Sequence, residues 1–191
     1  MLFRHALLND IPITFVLADY NDSVLQLVTL PNILLTWAAN TEALDHDISD
    51  LDENAQGDLE LTPSTKQRFT EDMRRKNINF VFLSGPWSPD LAKCVPQSGA
   101  ESGTLVLAAE TIYSPASTTT FVELLITLLE RVKMAKAMIA AKRVYFGVGG
   151  SVDGLKEACR DKGAVAYEIE NHGVPGMDSG VGRALIEVQM Y

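Results

Sequence analysis

Short apolar runs alternate with helical patterns along this chain of 191 residues. Runs of this kind, rich in β-branched and other apolar side chains, predict strands. Four of them cover 11–18, 78–83, 104–109 and 135–146. The alternation predicts a parallel α/β sheet with helices on both faces, its first strand buried on both sides and ending at Asp19. Two last strands, near 164–170 and 182–190, have no helix between them, which predicts an antiparallel hairpin at one edge.

Several residues mark where helices begin or break. Thr62 and Pro63 predict a helix start, with the threonine as cap and the proline in the first position. Pro31 should kink or split the helix that follows the first strand, because proline removes one hydrogen bond and clashes with the preceding turn. Ser117 predicts the cap of the helix after the third strand. Residues 88–102 are rich in Pro, Gly and Ser and predict a loop.

The charge of the chain is concentrated in one segment. The net charge is −9, and residues 41–60 hold eight acids and no Lys or Arg. The other 171 residues hold 17 acids and 16 bases, so they are nearly neutral. We interpret 41–60 as a solvated acidic loop, since an EF-hand starting at Asp45 would need a Gly where Asp50 stands and a Glu where Gln56 stands. The acidic balance disfavours nucleic acid as the main partner.

Composition excludes several other classes of protein. Two cysteines exclude a disulfide scaffold and a four-thiolate zinc site. The three histidines show no spacing typical of metal ligands, so we expect no metal site. No apolar run approaches the roughly 18 residues of a membrane span, and we expect no membrane partner. The composition predicts one soluble intracellular domain.

In sheets of this kind, ligands bind at the carboxyl ends of the strands. Asp19 fits an acid that accepts hydrogen bonds from ribose hydroxyls, or a turn or cap aspartate. Trp87 fits an indole that stacks on a flat base, or a cover over a loop. Glu110 fits a carboxylate that accepts a hydrogen bond or a proton, or a cap of the next turn. Tyr113 and Tyr145 either line the same cleft or simply pack there.

Three glycines follow the fourth predicted strand, at 147, 149 and 150. A Rossmann fingerprint would need a further glycine where Val152 stands, and a Walker loop would need Gly-Lys-Ser/Thr. A phosphate site is therefore disfavoured. We expect a tight turn whose backbone closely approaches a substrate.

Four motifs lie at the strand ends, in order along the chain: Asp19-Tyr20-Asn21 with residues 28–32, Ser84-Gly85-Pro86-Trp87, Glu110-Thr111-Ile112-Tyr113, and Tyr145-Phe146-Gly147-Val148-Gly149-Gly150. Together they resemble the motifs of protein-histidine methyltransferases. These are seven-strand, S-adenosylmethionine-dependent enzymes that methylate a histidine of the ribosomal protein uL3. The Glu-x-x-Tyr form is shared with related lysine methyltransferases, whereas the last motif points to the histidine branch.

This resemblance implies a role for each strand end in binding the cofactor S-adenosyl-L-methionine. Asp19 would hold the cofactor ribose, with Tyr20 and Asn21 beside it. Gly85 and Trp87 would border the adenine.

The resemblance also implies where transfer takes place. Ala109 and Glu110 would lie near the methionine part, and Tyr113 would flank the incoming side chain. We predict Glu110 and Tyr113 as the catalytic residues. In our hypothesis Glu110 keeps the substrate imidazole in the attacking tautomer.

One departure from the family concerns the start of the domain. The family begins with a strand and a Gly-rich cofactor loop, whereas here only ten residues precede Ile11, and they look like the tail of a helix. We therefore expect residues 1–191 to form a single partial domain with a Rossmann-like class I methyltransferase sheet. That sheet would be mostly parallel with a C-terminal antiparallel hairpin, and would lack the first strand and the Gly-rich loop. An acidic, disordered insertion would occupy 41–60.

The function implied is S-adenosylmethionine-dependent methyl transfer to a histidine nitrogen of a basic ribosomal protein. A cytoplasmic and nuclear location goes with it. Two alternatives stay open, which are a non-catalytic remnant or interaction module of the same fold, and a lysine-directed methyltransferase.

Overall fold

The computed structural model describes residues 1–41, 58–99, 102–170 and 182–191. Most of the acidic insertion predicted at 41–60 lies outside these residues. The chain divides into two compact units, Met1–Gly85 and Pro86–Tyr191, and each is described by itself. The single partial domain over 1–191 stays a prediction.

The first unit contains a two-stranded parallel sheet and helices. Strand β1 pairs with β2 so that Asp19 lies opposite Ser84, and the Gly85 N–H donates to the Asp19 carbonyl at 3.2 Å. The ends of both strands therefore lie side by side. The elements are α1 (Leu2–Leu8), β1 (Ile13–Asp19), α2 (Asp22–Val24), a π-helical turn (Leu25–Thr29), α3 (Leu30–Ala38), α4 (Pro63–Arg75) and β2 (Ile78–Ser84).

The helix after β1 is interrupted where the sequence predicts it. A π-helical turn over Leu25–Thr29 separates α2 from α3, and Pro31 lies in the first turn of α3. Proline has no N–H, and its ring would clash with the carbonyl four residues earlier in a regular helix. The wider π-turn accommodates both effects. The predicted break at Pro31 is confirmed.

Helix α4 begins as predicted. The Thr62 side chain accepts a hydrogen bond from the Thr65 N–H at 3.1 Å, and Pro63 occupies the first helical position. The threonine thus satisfies one of the free donors of the first turn. The helix ends at Arg75, whose cation suits the negative end of the helix dipole.

The core of the first unit lies on one face of its sheet. Ile13, Phe15 and Leu17 of β1 pack against the buried cluster, whereas Thr14 and Ala18 are exposed. The prediction that β1 is buried on both faces is therefore wrong within the described residues. An uninterrupted apolar run hides the alternation that the packing imposes.

Trp37 is the largest wholly buried side chain of the first unit. Its indole packs edge to face against Phe69 at 5.4 Å between ring centroids. The indole N–H donates to Asp72 Oδ2 at 3.0 Å. Trp37 therefore ties α3 to α4 through both an apolar and a polar contact.

The second unit contains a four-stranded mixed sheet with the strand order β3-β4-β6-β5. Strands β3 and β4 are parallel, whereas β6 is antiparallel to both β4 and β5. The α/β class and the C-terminal antiparallel hairpin are therefore confirmed. The elements are α5 (Pro89–Cys94), β3 (Thr104–Ala109), α6 (Pro115–Leu129), β4 (Ala135–Lys142), α7 (Val152–Asp161), β5 (Ala164–Ile169) and β6 (Arg183–Met190).

Three boundaries in the second unit differ from the sequence predictions. The predicted loop at 88–102 contains α5, because Ser88 caps the Leu91 N–H at 3.2 Å. The cap of α6 is Ser114 rather than Ser117; the two serines form a reciprocal capping box. Strand β4 ends at Lys142, four residues before its predicted end.

The core of the second unit lies between the sheet and helices α6 and α7. Leu125, Ile139 and Leu155 are essentially inaccessible to solvent. Burying three such side chains contributes roughly 1.5–3 kcal/mol each. Within the described ranges, no helix has the length and apolar character needed to span a membrane.

Candidate active site

Asp19 ends β1 and closes the turn that follows. Its Oδ1 accepts a hydrogen bond from the Asn21 N–H at 2.9 Å. The Asp19 side chain therefore acts as a turn aspartate, one of the two roles considered from the sequence. Tyr20, next in the chain, is 68% exposed and presents its ring to solvent.

Gly85 lies beside Asp19 at the end of β2. Its φ is +140°, a conformation that L-residues rarely adopt. A Cβ placed on Gly85 would meet nothing within 4 Å, so the space beside this backbone is open. Asp19, Asn21 and Gly85 are thus brought together in the first unit.

Trp87 follows Gly85 and belongs to the second unit. It is half-buried, and its ring meets Phe121 edge to face with 6.4 Å between centroids. The indole packs against the core of the second unit, whereas the packing alternative considered from the sequence was a cover over a loop. Its predicted contact with an adenine stays a prediction.

Glu110 follows β3 and the exposed Ala109. Its backbone is left-handed, with φ +57°, and its N–H donates to the Ala140 carbonyl at 2.9 Å. A non-glycine residue in this region costs on the order of 1–2 kcal/mol. The backbone therefore turns at Glu110, directly after the last residue of β3.

The Glu110 carboxylate has two partners, a neutral hydroxyl and a cationic guanidinium. The Tyr145 hydroxyl donates to Oε2 at 2.9 Å, and the Arg183 guanidinium lies 3.9 Å from Oε1. The side chain of Glu110 is 44% exposed, so this carboxylate is held on one side and open to solvent on the other. Such a group suits the acceptance of a hydrogen bond from an incoming N–H.

Tyr145 is buried rather than exposed in a cleft, with 8% of its surface accessible. Its hydroxyl also accepts a hydrogen bond from the Lys142 N–H at 3.2 Å. Burial, with a smaller contribution from Glu110, raises the pKa of Tyr145 to about 12. The phenol is therefore a neutral hydrogen-bond donor over the physiological pH range.

Gly150 joins the motif Glu110–Tyr113 to the motif Tyr145–Gly150 through backbone hydrogen bonds. Its N–H donates to the Tyr113 carbonyl at 3.2 Å, and its own carbonyl accepts from the Tyr145 N–H at 2.8 Å. A Cβ on Gly150 would lie 2.0 Å from the Ile112 carbonyl oxygen. The sequence predicts that this glycine loop approaches a substrate; the close approach that the structure shows is to the chain's own 112–113 backbone.

The segments 110–113 and 145–150, which meet at Gly150, contain both buried and exposed side chains. Thr111 is buried, and its hydroxyl has no hydrogen-bond partner among the described residues, which costs about 1–3 kcal/mol. Tyr113 is 51% exposed and Phe146 79% exposed. The unpaired Thr111 hydroxyl and the left-handed backbone of Glu110 each lower the stability of the folded chain, and they are adjacent in sequence. Backbone strain of this kind is often found at functional sites.

Sequence reasoning singled out Tyr145 as a residue that lines the cleft or packs there, but it missed the contact of Tyr145 with Glu110. It missed Arg183 altogether. Arg183 begins the last strand, and the pairing of β6 with β4 sets it opposite Lys142. Only the strand order could have placed it near Glu110. In the described part of the chain, no three His, Cys, Asp or Glu residues converge as metal ligands would.

Comparison with known proteins gives this geometry a context. No protein-family model matches the chain. Curated relatives named Histidine protein methyltransferase 1 match it at 42% identity over 74% of the chain in Schizosaccharomyces pombe and at 36% over 84% in Saccharomyces cerevisiae. The chain is a homologue of the histidine protein methyltransferases. A relative from Rattus norvegicus, named Histidine protein methyltransferase 1 homolog, is 29% identical over 89% of the chain.

This homology to histidine protein methyltransferases covers only part of the relatives. The chain spans 39% of the S. pombe protein, 46% of the S. cerevisiae protein and 41% of the R. norvegicus protein. Among solved structures, a TehB-like SAM-dependent methyltransferase from Corynebacterium glutamicum matches with a TM-score of 0.40 and 10% identity. That match covers 99% of this chain and 88% of the other.

Proposed function

We propose that this chain carries out S-adenosylmethionine-dependent transfer of a methyl group to a histidine nitrogen of a protein. The observation that carries the proposal is the Glu110 carboxylate, held by Tyr145 at the end of β3 and still open to solvent. It lies in the Glu-Thr-Ile-Tyr motif of a chain homologous to histidine protein methyltransferases. A histidine substrate needs an acceptor of this kind to fix its tautomer.

The first unit has groups that fit the cofactor. We propose that Asp19 accepts hydrogen bonds from the ribose hydroxyls, with Tyr20 and Asn21 beside it, and that Gly85 borders the adenine. The open space beside the Gly85 backbone and the exposed Tyr20 ring support this assignment. Asp19 has a carboxylate oxygen besides the one that accepts the Asn21 N–H, and a carboxylate offers about four acceptor positions.

We propose that the second unit supplies the remaining groups. Trp87 would border the adenine through the part of its ring that the core leaves accessible. Ala109, exposed at the end of β3, would lie near the methionine part. Tyr113, with half of its surface accessible, would flank the substrate side chain.

The chemistry asked of these residues is mainly alignment. The cofactor, when bound, supplies an activated methyl group on a sulfonium. One nitrogen of a neutral imidazole would take the methyl group while the carbon–sulfur bond breaks and its electron pair stays on the sulfur. Glu110 accepts the N–H of the other nitrogen, so the attacking lone pair faces the methyl group. The ring gains positive charge as the bond forms, and the anionic Glu110 stabilises it. The methylated imidazolium would then lose the proton of the nitrogen that Glu110 contacts, and the proton would pass through this exposed carboxylate to solvent.

Substituting Glu110 with glutamine tests this role. Glutamine keeps the size but loses the charge, and its amide presents a donor as well as an acceptor. We expect histidine methylation to fall at least tenfold, within the usual effect of one positioned acid or base. Tandem mass spectrometry of a basic ribosomal protein incubated with the chain and S-adenosylmethionine would measure it. Glu130→Gln, an exposed glutamate at the end of α6, is the matched control and should leave methylation unchanged.

The same spectra separate the alternatives. Full histidine methylation by the Glu110→Gln variant would refute the tautomer role. A methyl group found on lysine rather than histidine would favour the lysine-directed alternative.

The proposed partner is a basic ribosomal protein, met in the cytoplasm and nucleus. The chain has a net charge of −9, and residues 41–60 contribute eight acidic side chains and no Lys or Arg. This negative charge supports a basic partner. Opposite charges raise the rate of encounter between proteins.

A further inference from the structure

We propose that Tyr145 is a positioning residue, which fixes the Glu110 carboxylate in the orientation that receives the substrate imidazole. This inference rests on the proposed function and deepens it. Tyr145 does not touch the substrate in this account; it acts through Glu110.

The Tyr145 hydroxyl is engaged in both directions. It accepts from the Lys142 N–H at 3.2 Å and donates to Glu110 Oε2 at 2.9 Å. Because the backbone donor occupies an acceptor position of the hydroxyl, the single O–H proton is directed at the carboxylate. The contact is thus a charge-assisted hydrogen bond with a defined donor.

The phenol is itself held in place by the fold. Tyr145 is buried in the core of the second unit, and its N–H donates to the Gly150 carbonyl. Gly150 in turn contacts the backbone of the segment that carries Glu110. Glu110 and Tyr145 therefore lie on two segments, 110–113 and 145–150, whose backbones are in contact with each other.

The other carboxylate oxygen of Glu110, Oε1, lies near a cation instead of a hydroxyl. Arg183 lies 3.9 Å from Oε1, beyond hydrogen-bond distance but close enough to attract the charge. Oε1 therefore retains capacity to accept an N–H. With Oε2 tied to Tyr145, this oxygen is the one that we assign to the imidazole.

Without the phenol, the Glu110 carboxylate would keep only the Arg183 guanidinium, 3.9 Å away, as a side-chain partner among the described residues. The Glu110 side chain is 44% exposed, and a glutamate side chain that loses its partner regains rotamer entropy. Small misplacements of a positioning group can cost about a hundredfold in rate. Because the pKa of Tyr145 is about 12, its hydroxyl stays protonated and the effect should be constant between about pH 6 and 9.

The test compares two substitutions of the same kind. Tyr145→Phe removes the hydroxyl that contacts Glu110. Tyr167→Phe removes a hydroxyl on β5 that contacts Glu187 on the neighbouring strand β6. Side-chain scalar couplings of Glu110, measured by NMR on the intact chain, report whether it occupies one rotamer. We expect averaged couplings in Tyr145→Phe and unchanged couplings in Tyr167→Phe. Methyl transfer kinetics should show kcat reduced about tenfold by Tyr145→Phe, with KM for the substrate protein little changed and the same ratio to the unsubstituted chain at pH 6 and 9.

Each result has a defined meaning. Unchanged Glu110 couplings in Tyr145→Phe would overturn the positioning role, whatever the activity. Averaged couplings with full kcat would overturn its importance for the reaction. Absence of transfer by the unsubstituted chain would contradict the proposed function, while the coupling measurement would still decide whether Tyr145 positions Glu110.

Discussion

Replacing Gly150 with alanine should destabilise the second unit by about 3 kcal/mol or more, at the upper end of the usual cost of overpacking. The added Cβ would lie 2.0 Å from the Ile112 carbonyl oxygen and 2.5 Å from the Tyr113 carbonyl carbon. These are backbone atoms, so no side-chain rotation relieves the overlap. The segments 110–113 and 145–150 would have to separate, and the Tyr145–Glu110 hydrogen bond depends on their contact.

Urea unfolding followed by circular dichroism would measure the loss of stability. Gly147→Ala is the matched control in the same loop. Gly147 has φ +82° but open space around its Cβ position, so alanine there should cost only about 1–2 kcal/mol of backbone strain. Equal destabilisation by the two substitutions would contradict the close packing of Gly150, because only backbone strain would then be at work.

Replacing Trp37 with alanine should destabilise the first unit by about 3–5 kcal/mol. The indole is wholly buried between α3 and α4, so truncation leaves a large cavity against Phe69. It also removes the donor that contacts Asp72 Oδ2. Amide hydrogen exchange in β1 and β2 would report the loss in this unit by itself.

Two further variants separate the parts of the Trp37 effect. Trp37→Phe keeps an aromatic ring but loses the N–H, while Asp72 retains its ion pair with Arg75 at 2.8 Å. We expect a smaller loss, near 1–3 kcal/mol. Leu27→Ala, in the exposed part of the π-turn, should change stability by no more than about 0.5 kcal/mol. A loss in Leu27→Ala as large as that in Trp37→Ala would show that the core is placed wrongly.

Local signals in the sequence predicted most of the elements. Strands β1, β2 and β3 were predicted within one or two residues at each end, since each is a short apolar run between polar turns. Pro31 and Thr62 act through backbone chemistry that depends on few neighbours, and both predictions are confirmed. Errors arose where two local signals competed. Ser114 and Ser117 both fit a cap, and only the folded turn shows that Ser114 is the cap and Ser117 its reciprocal partner.

The site was less accessible to sequence reasoning because its contacts join distant parts of the chain. Asp19 and Glu110 could be singled out as acids that end strands. Tyr145 could be named as a candidate for the same cleft, but its contact with Glu110 could not be predicted. Arg183 gave no signal at all, because it approaches Glu110 only through the register of β3, β4 and β6. Trp37 likewise gave no signal of its position, since its burial depends on Phe69 and Asp72 across residues 42–57. Tertiary packing, rather than local propensity, decides such positions.

Calorimetric titration with S-adenosylmethionine tests the central claim most directly. We predict measurable binding heat for the unsubstituted chain and at least tenfold weaker binding for Asp19→Asn, which loses the charge that would receive the ribose hydroxyls. Asp22→Asn, in the neighbouring turn of α2, is the control and should bind as the unsubstituted chain does. Heat from the unsubstituted chain that Asp19→Asn loses and Asp22→Asn retains would support a methyltransferase site at these strand ends. No heat at high cofactor concentration would contradict it and favour a non-catalytic module of the same fold.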